Sequence, residues 1–145
     1  RDDRAQAEDH FQTALGLAED NRQRADLWYD RAVREYGDVD RAIREALALQ
    51  PAHGRALYLI ASRRADRMGP TETPEQQAAY WCLADAFQEV AATGEPRVAA
   101  RAREAATNYN RAAPTRESYI FSTDWKPGDT IRARSGGVSC TTRVR

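Results

Sequence analysis

Small and large apolar side chains recur at three- and four-residue steps through most of this chain, and the recurrence stops at Pro114. Ala7, Phe11, Ala14 and Leu15 share one face of a helix expected over Ala5–Leu17. Trp28, Ala32 and Tyr36 fall at four-residue steps in a second stretch, Arg22–Tyr36, stopped by Gly37. Asp38 is the expected N-cap of the next helix, Val39–Leu49, which Pro51 ends. A further helix is expected over Gly54–Met68, stopped by Gly69-Pro70. Thr73 is the expected cap, and Pro74 the first residue, of the longest helix, Pro74–Ala92. Pro96 restarts the pattern, and Val98, Ala102, Ala105 and Tyr109 line a last face that ends near Ala113-Pro114. Residues 1–114 thus read as helices joined by short connections.

Beyond Pro114 the period changes from helical to alternating. Ser118 to Trp125 reads as an extended segment. Thr130–Arg134 and Val138–Val144 are rich in Thr, Val and Ile and flank Ser135-Gly136-Gly137, a turn signal, so a β-hairpin is expected. An isolated two-stranded hairpin is marginal in water. Residues 115–145 are therefore expected to pack on the helices or on a neighbouring chain. The fold class expected is mainly α, with a short C-terminal β-hairpin.

Apolar residues make up 41% and charged residues 30% of 145 positions, and the formal net charge is zero. That balance fits a soluble chain of one domain or a few helical hairpins. Nothing in it resembles the basic surplus of a nucleic-acid binder. The longest apolar run, Ala78–Ala84, is far short of the ~20 residues of a membrane span. The chain opens on Arg1 rather than Met, and a product trimmed of an export signal is the expectation. Two cysteines, Cys82 and Cys140, allow one internal bridge; two thiols, one buried and one exposed, are the other outcome. A bridge would place the chain outside the cytoplasm.

Motifs that carry chemistry are missing. Only His10 and His53 accompany two cysteines that lie far apart, so no zinc spacing exists. The glycines of Ser135-Gly136-Gly137 precede no helix that would complete a phosphate cradle, and no Gly-x-Ser-x-Gly elbow is present. No cofactor and no enzymatic activity are expected.

The stretch Leu47-Ala-Leu-Gln-Pro51 followed by Gly54-Arg-Ala-Leu-Tyr-Leu-Ile-Ala places large, apolar and small residues at fixed offsets after a Pro stop. In this it resembles the tetratricopeptide repeat family, whose helical hairpins stack through small residues into an α-solenoid. Ala7, Phe11, Ala14 and Leu15 fit the second helix of such a hairpin, and Leu57, Ile60 and Ala61 fit a first helix. Tyr80-Trp81, Asp85, Phe87, Pro96, Tyr109, Pro114, Glu117, Phe121, Gly128 and the ending Cys140-Thr-Thr-Arg-Val-Arg145 resemble the C-terminal half of exported tetratricopeptide proteins of Bacteroidota and relatives, which end in a β-tail. The resemblance implies protein binding without catalysis, and a location outside the cytoplasm. It places Tyr29, Val33, Arg55, Tyr58 and Ser62 on a concave groove. Asp129-Thr130-Ile131 resembles the O-glycosylation motif of those bacteria, and Thr71 and Thr73 are lesser candidates for sugar.

These readings lead to one expected function and one alternative. A solenoid needs its ends covered. The apolar face of Phe11 and Leu15, and the hairpin residues Ile131, Val138 and Val144, are expected to make head-to-tail contacts between copies, giving a homo-oligomeric filament. The alternative is a monomeric adaptor that holds a peptide of an envelope protein in its groove, with the hairpin folded back as a cap.

Overall fold

The computed structural model describes residues 2–35 and 37–145, with Asp2 described by its backbone alone. Tyr36, the expected last member of the second apolar stripe, lies outside the described residues. The chain runs α1 (Asp2–Leu17), α2 (Asn21–Val33), α3 (Val39–Leu49), α4 (Gly54–Ala65), α5 (Pro74–Gln77), α6 (Ala79–Ala92), α7 (Ala99–Ala112), α8 (Arg116–Tyr119), β1 (Thr130–Ser135) and β2 (Val138–Arg143). It is mainly helical with a two-stranded antiparallel sheet at the C-terminal end. Six helices exceed ten residues.

Local chemistry explains most of these ends. Asp20 and Asp38 cap α2 and α3, each carboxylate accepting the backbone N–H three residues on. Thr73 and Gln76 close a reciprocal capping box ahead of Pro74. The long helix expected over Pro74–Ala92 is two helices. The Trp81 amide donates to Ala78, a tighter three-residue turn that separates α5 from α6. That leaves α1, at 16 residues, the longest. The segment after Pro114 is not wholly extended either: Thr115 caps the four-residue α8, its hydroxyl accepting from the Ser118 amide.

The chain forms two compact units, Arg1–Ala56 and Leu57–Arg145. In the first, α2 and α3 pack through alanines, with Ala25, Ala32, Ala42 and Ala46 nearly inaccessible beside Ile43. Alanine lets two backbones approach closely and costs no side-chain entropy. Phe11 of α1 meets Trp28 of α2 edge-on, centroids 4.8 Å apart.

The second unit has two apolar clusters. One joins Ala61 of α4, Phe87 and Val90 of α6, and Ala102 and Ala106 of α7. The other lies under the tail and gathers Ala78, Trp81, Cys82 and Leu83 with Tyr119, Ala133, Val138 and Val144. The hairpin register runs from Thr130↔Arg143 to Ser135↔Val138. Gly136, at φ 56°, takes the left-handed position that opens its two-residue turn. That turn sits against the chain after α4: a Cβ on Gly136 would stand 2.5 Å from the Gly69 nitrogen, and the Gly137 amide donates to the Arg67 carbonyl at 2.7 Å. Glycines at both 69 and 136 make this approach sterically possible.

Candidate functional site

In the first unit the helical stripe of α1 does not close fully on α2. A cleft of about 530 Å³ remains, floored by Ala7, Phe11 and Leu27 and rimmed by Arg4, Asp30 and Arg31 among others. Arg31 reaches across it. Its guanidinium grips Glu8 with both nitrogens, at 3.1 and 2.8 Å, and stands 4.6 Å above the Phe11 ring. A paired guanidinium over an aromatic face holds the cleft wall in place. Phe11 and Leu15 are half-buried, and Leu17, two residues further and on the other side of α1, is 77% exposed.

The Arg31 hydrogen bond, with help from Gln12, holds the Glu8 carboxyl below its ordinary range. A lowered carboxyl pKa contributes stability that is present above the unfolded value of 4.5 and lost as pH falls through the folded one. Acid is therefore expected to release Arg31 from Glu8 below about pH 4.5. Trp28 fluorescence reports it, since Arg31 also stands 5.6 Å from that ring. The pair is half-exposed, so the contribution stays under about 1 kcal/mol. Glu8→Gln is expected to remove the transition.

A second cluster ties α2 to the start of α4. The buried His53 receives the Ala56 amide on Nδ1 at 3.1 Å, so Nε2 bears the proton and donates to Asp26 at 2.9 Å. Arg55 pairs with the same carboxylate and lies 4.9 Å over Tyr29, whose ring is 5.3 Å from His53. Two groove candidates, Tyr29 and Arg55, are thus engaged with each other. Val33 is 51% exposed. The arrangement caps the first turn of α4. The sequence marks it only by His53 beside the Pro51 stop.

In the second unit the remaining groove candidates, Tyr58 and Ser62, are partly covered. Tyr58 meets Phe87 edge-on at 5.4 Å and is covered by Arg101, and Ser62 is half-buried. Cys82 and Cys140 form a disulfide that fastens β2 to α6. Thr142 donates to Asp85 at 3.0 Å, Arg145 pairs with Asp85 and Asn110, and the Tyr119 hydroxyl donates to the Arg145 carbonyl at 3.2 Å. This closes the account for two proposed association residues: Val138 and Val144, 2% exposed, face inward on α6 and are covered by the chain itself, and Ile131 is half-covered beside them. The reason is alternation, since the apolar positions of both strands share the inner face.

What the second unit leaves exposed is Ile120, at 47%, and Phe121, at 93%. The sequence places Phe121 within the family resemblance and gives it no contact role. It lies two residues beyond Tyr119, the last residue of α8, and two positions on a helical turn are roughly 200° apart, so a turn that buries Tyr119 aims Phe121 outward. Thr130 is exposed; Thr71 is half-buried, and the Thr73 hydroxyl is occupied by its cap.

Among the described residues no group of His, Cys, Asp or Glu has a metal-holding arrangement, and no helix is long and apolar enough to cross a membrane. No family model, curated protein or solved structure matches the chain.

Proposed function

We propose that the chain is a non-enzymatic assembly module whose copies join head to tail, Phe121 of one entering the α1–α2 cleft of the next. The observation that carries the reading is an almost fully exposed phenylalanine on the second unit together with an aromatic-floored, arginine-rimmed cleft on the first. Phe121 and the neighbouring Ile120 are both exposed and together supply an apolar surface for such a contact. Burying the Phe121 side chain stabilises a contact by about 1.5–3 kcal/mol. A knob and a hole on unlike surfaces make a heterologous contact, and such contacts propagate into open filaments when the rotation does not close.

In this reading the helices stack as tetratricopeptide-like hairpins through their alanine seams, and the chain works in an exported, extracellular setting. The Cys82–Cys140 bridge supports an oxidising compartment. Thr130 is the best placed of the three glycosylation candidates, being exposed. The internal bridge favours one feature of the adaptor alternative, a hairpin that caps its own chain, and there the same cleft would take an aromatic residue of another envelope protein.

Sedimentation velocity separates the two. Wild type is expected to associate with rising concentration. Phe121→Ser, which removes the knob, and Ala7→Trp, which fills the cleft, are each expected to be monomeric. Mixed together they retain one knob and one hole, so they should form a heterodimer that grows no further. A wild-type chain that stays monomeric at every concentration would sink the assembly reading and leave the adaptor.

A further inference from the structure

The solvent face of the hairpin is basic and unpaired. Residues 130–145 contain four arginines and no acidic residue. Arg145 is taken by Asp85, whereas Arg132, Arg134 and Arg143 make no ion pair or side-chain hydrogen bond among the described residues. All three are exposed, on the face that also carries Thr130, Ser139 and Thr141. They sit in the cross-strand pairs Thr130↔Arg143, Arg132↔Thr141 and Arg134↔Ser139.

The same residues also control the sheet edges. A two-residue turn makes Ser135↔Val138 a hydrogen-bonded pair, and with it Ala133↔Cys140 and Ile131↔Thr142. The alternate pairs therefore aim their N–H and C=O groups outward. On β1 those are the groups of Thr130, Arg132 and Arg134. Each strand has a single strand neighbour, so this edge has no strand partner among the described residues.

From this we infer that β1 is a docking edge for an extended acidic peptide, added as a third strand with carboxylates at every second residue. The period-2 geometry of a strand puts such carboxylates on one face at the spacing of Arg132 and Arg134, directly across from them. Backbone hydrogen bonds supply part of the affinity and the alternate side chains supply selectivity. Edge arginines also repel a second copy of the same edge. An acidic strand turns that repulsion into attraction, and the bridge to α6 keeps the platform rigid. An acidic peptide fits better than a nucleic-acid strand, because this face bears no aromatic ring on which bases would stack.

Two synthetic peptides of identical composition test the inference, one alternating Glu and Thr, the other with all its Glu in one block. Both are titrated into the full chain carrying Phe121→Ser, which keeps self-association out of the measurement. The alternating peptide is expected to bind roughly tenfold tighter, because the blocked one aims half its carboxylates at the wrong face. Arg132→Ser with Arg134→Ser should abolish that preference, and Arg143→Ser should change it little. Hydrogen exchange gives a second readout: the Arg132 and Arg134 amides should gain protection when the alternating peptide binds. Equal binding of the two peptides, no gain in protection, or a sulfated dextran bound more tightly than either peptide would overturn the assignment. The last two results would describe a general anion-attracting surface.

Discussion

Replacing Cys82 and Cys140 together by serine is expected to destabilise the chain by about 4 kcal/mol. The bridge spans 58 positions, and the loop-entropy treatment of a closure of that length gives this figure. For a chain of this size that corresponds to roughly 10–15 °C in melting temperature, read by circular dichroism on the oxidised protein and on the double variant. The physical reason lies in the tail. A two-stranded hairpin does not sustain itself, and what fixes this one is a modest apolar face of Ala133, Val138 and Val144 with a few polar ties at Asp85. Without the bridge, folding must also order the tail from a free chain. A melting shift of only a degree or two would mean that the Val and Tyr119 contacts suffice and that the bridge adds little.

The parts of this fold that were legible in the sequence are those decided within a turn or two of chain. Asp38 and Thr73 announce helix starts because their oxygens reach amides three residues away, and Pro74 takes a position that needs no N–H. Ser135-Gly136-Gly137 between alternating strands marks the hairpin because its turn takes a left-handed φ of 56°, which glycine adopts most easily. Contacts made across the chain were not legible. The break at Ala78 sits where α5 and α6 both meet the hairpin, inside a core that tail residues complete. Whether Cys82 and Cys140 would pair stayed open until folding brought their Cα atoms to 5.8 Å.

The candidate site divides in the same way. Phe11, a member of the apolar stripe expected to make contacts between copies, instead meets Trp28 edge-on and lies under Arg31, and it also lines the cleft. Arg31 as the wall of that cleft was not foreseen, since its pairing with Glu8 depends on how α1 lies on α2. For Val138 and Val144 the sequence predicts contacts at a free strand edge. Which face of the hairpin meets α6 decides their fate, and the apolar face does. Phe121 is the reverse case: an aromatic residue within the family resemblance, left bare because the turn that buries Tyr119 aims it outward.

Trp81→Ala is the second change expected to have a large effect, at about 3–5 kcal/mol. Trp81 is 2% exposed and is the largest fully buried side chain of the chain. It touches Tyr119 edge-on, centroids 6.5 Å apart, and Trp125 at 6.3 Å, and those two rings lie 6.0 Å from each other. Removing it leaves a void bounded by two rings that the tail itself supplies, so the loss falls on the docking of residues 115–145. The bridge acts on a different state: it restricts the unfolded chain, whereas the indole packs the folded one. The two losses are therefore expected to be close to additive in spite of the adjacency of Trp81 and Cys82. Together they approach the whole stability of an ordinary domain. Trp81→Ala alone should keep its tail tethered, with trypsin cutting slowly at Arg132 and Arg134. In the combined Trp81→Ala, Cys82→Ser, Cys140→Ser chain those sites should open to rapid cleavage at room temperature. Losses well short of the sum would show that the bridge stabilises by holding the tail on the indole, and the entropic account of it would have to be abandoned.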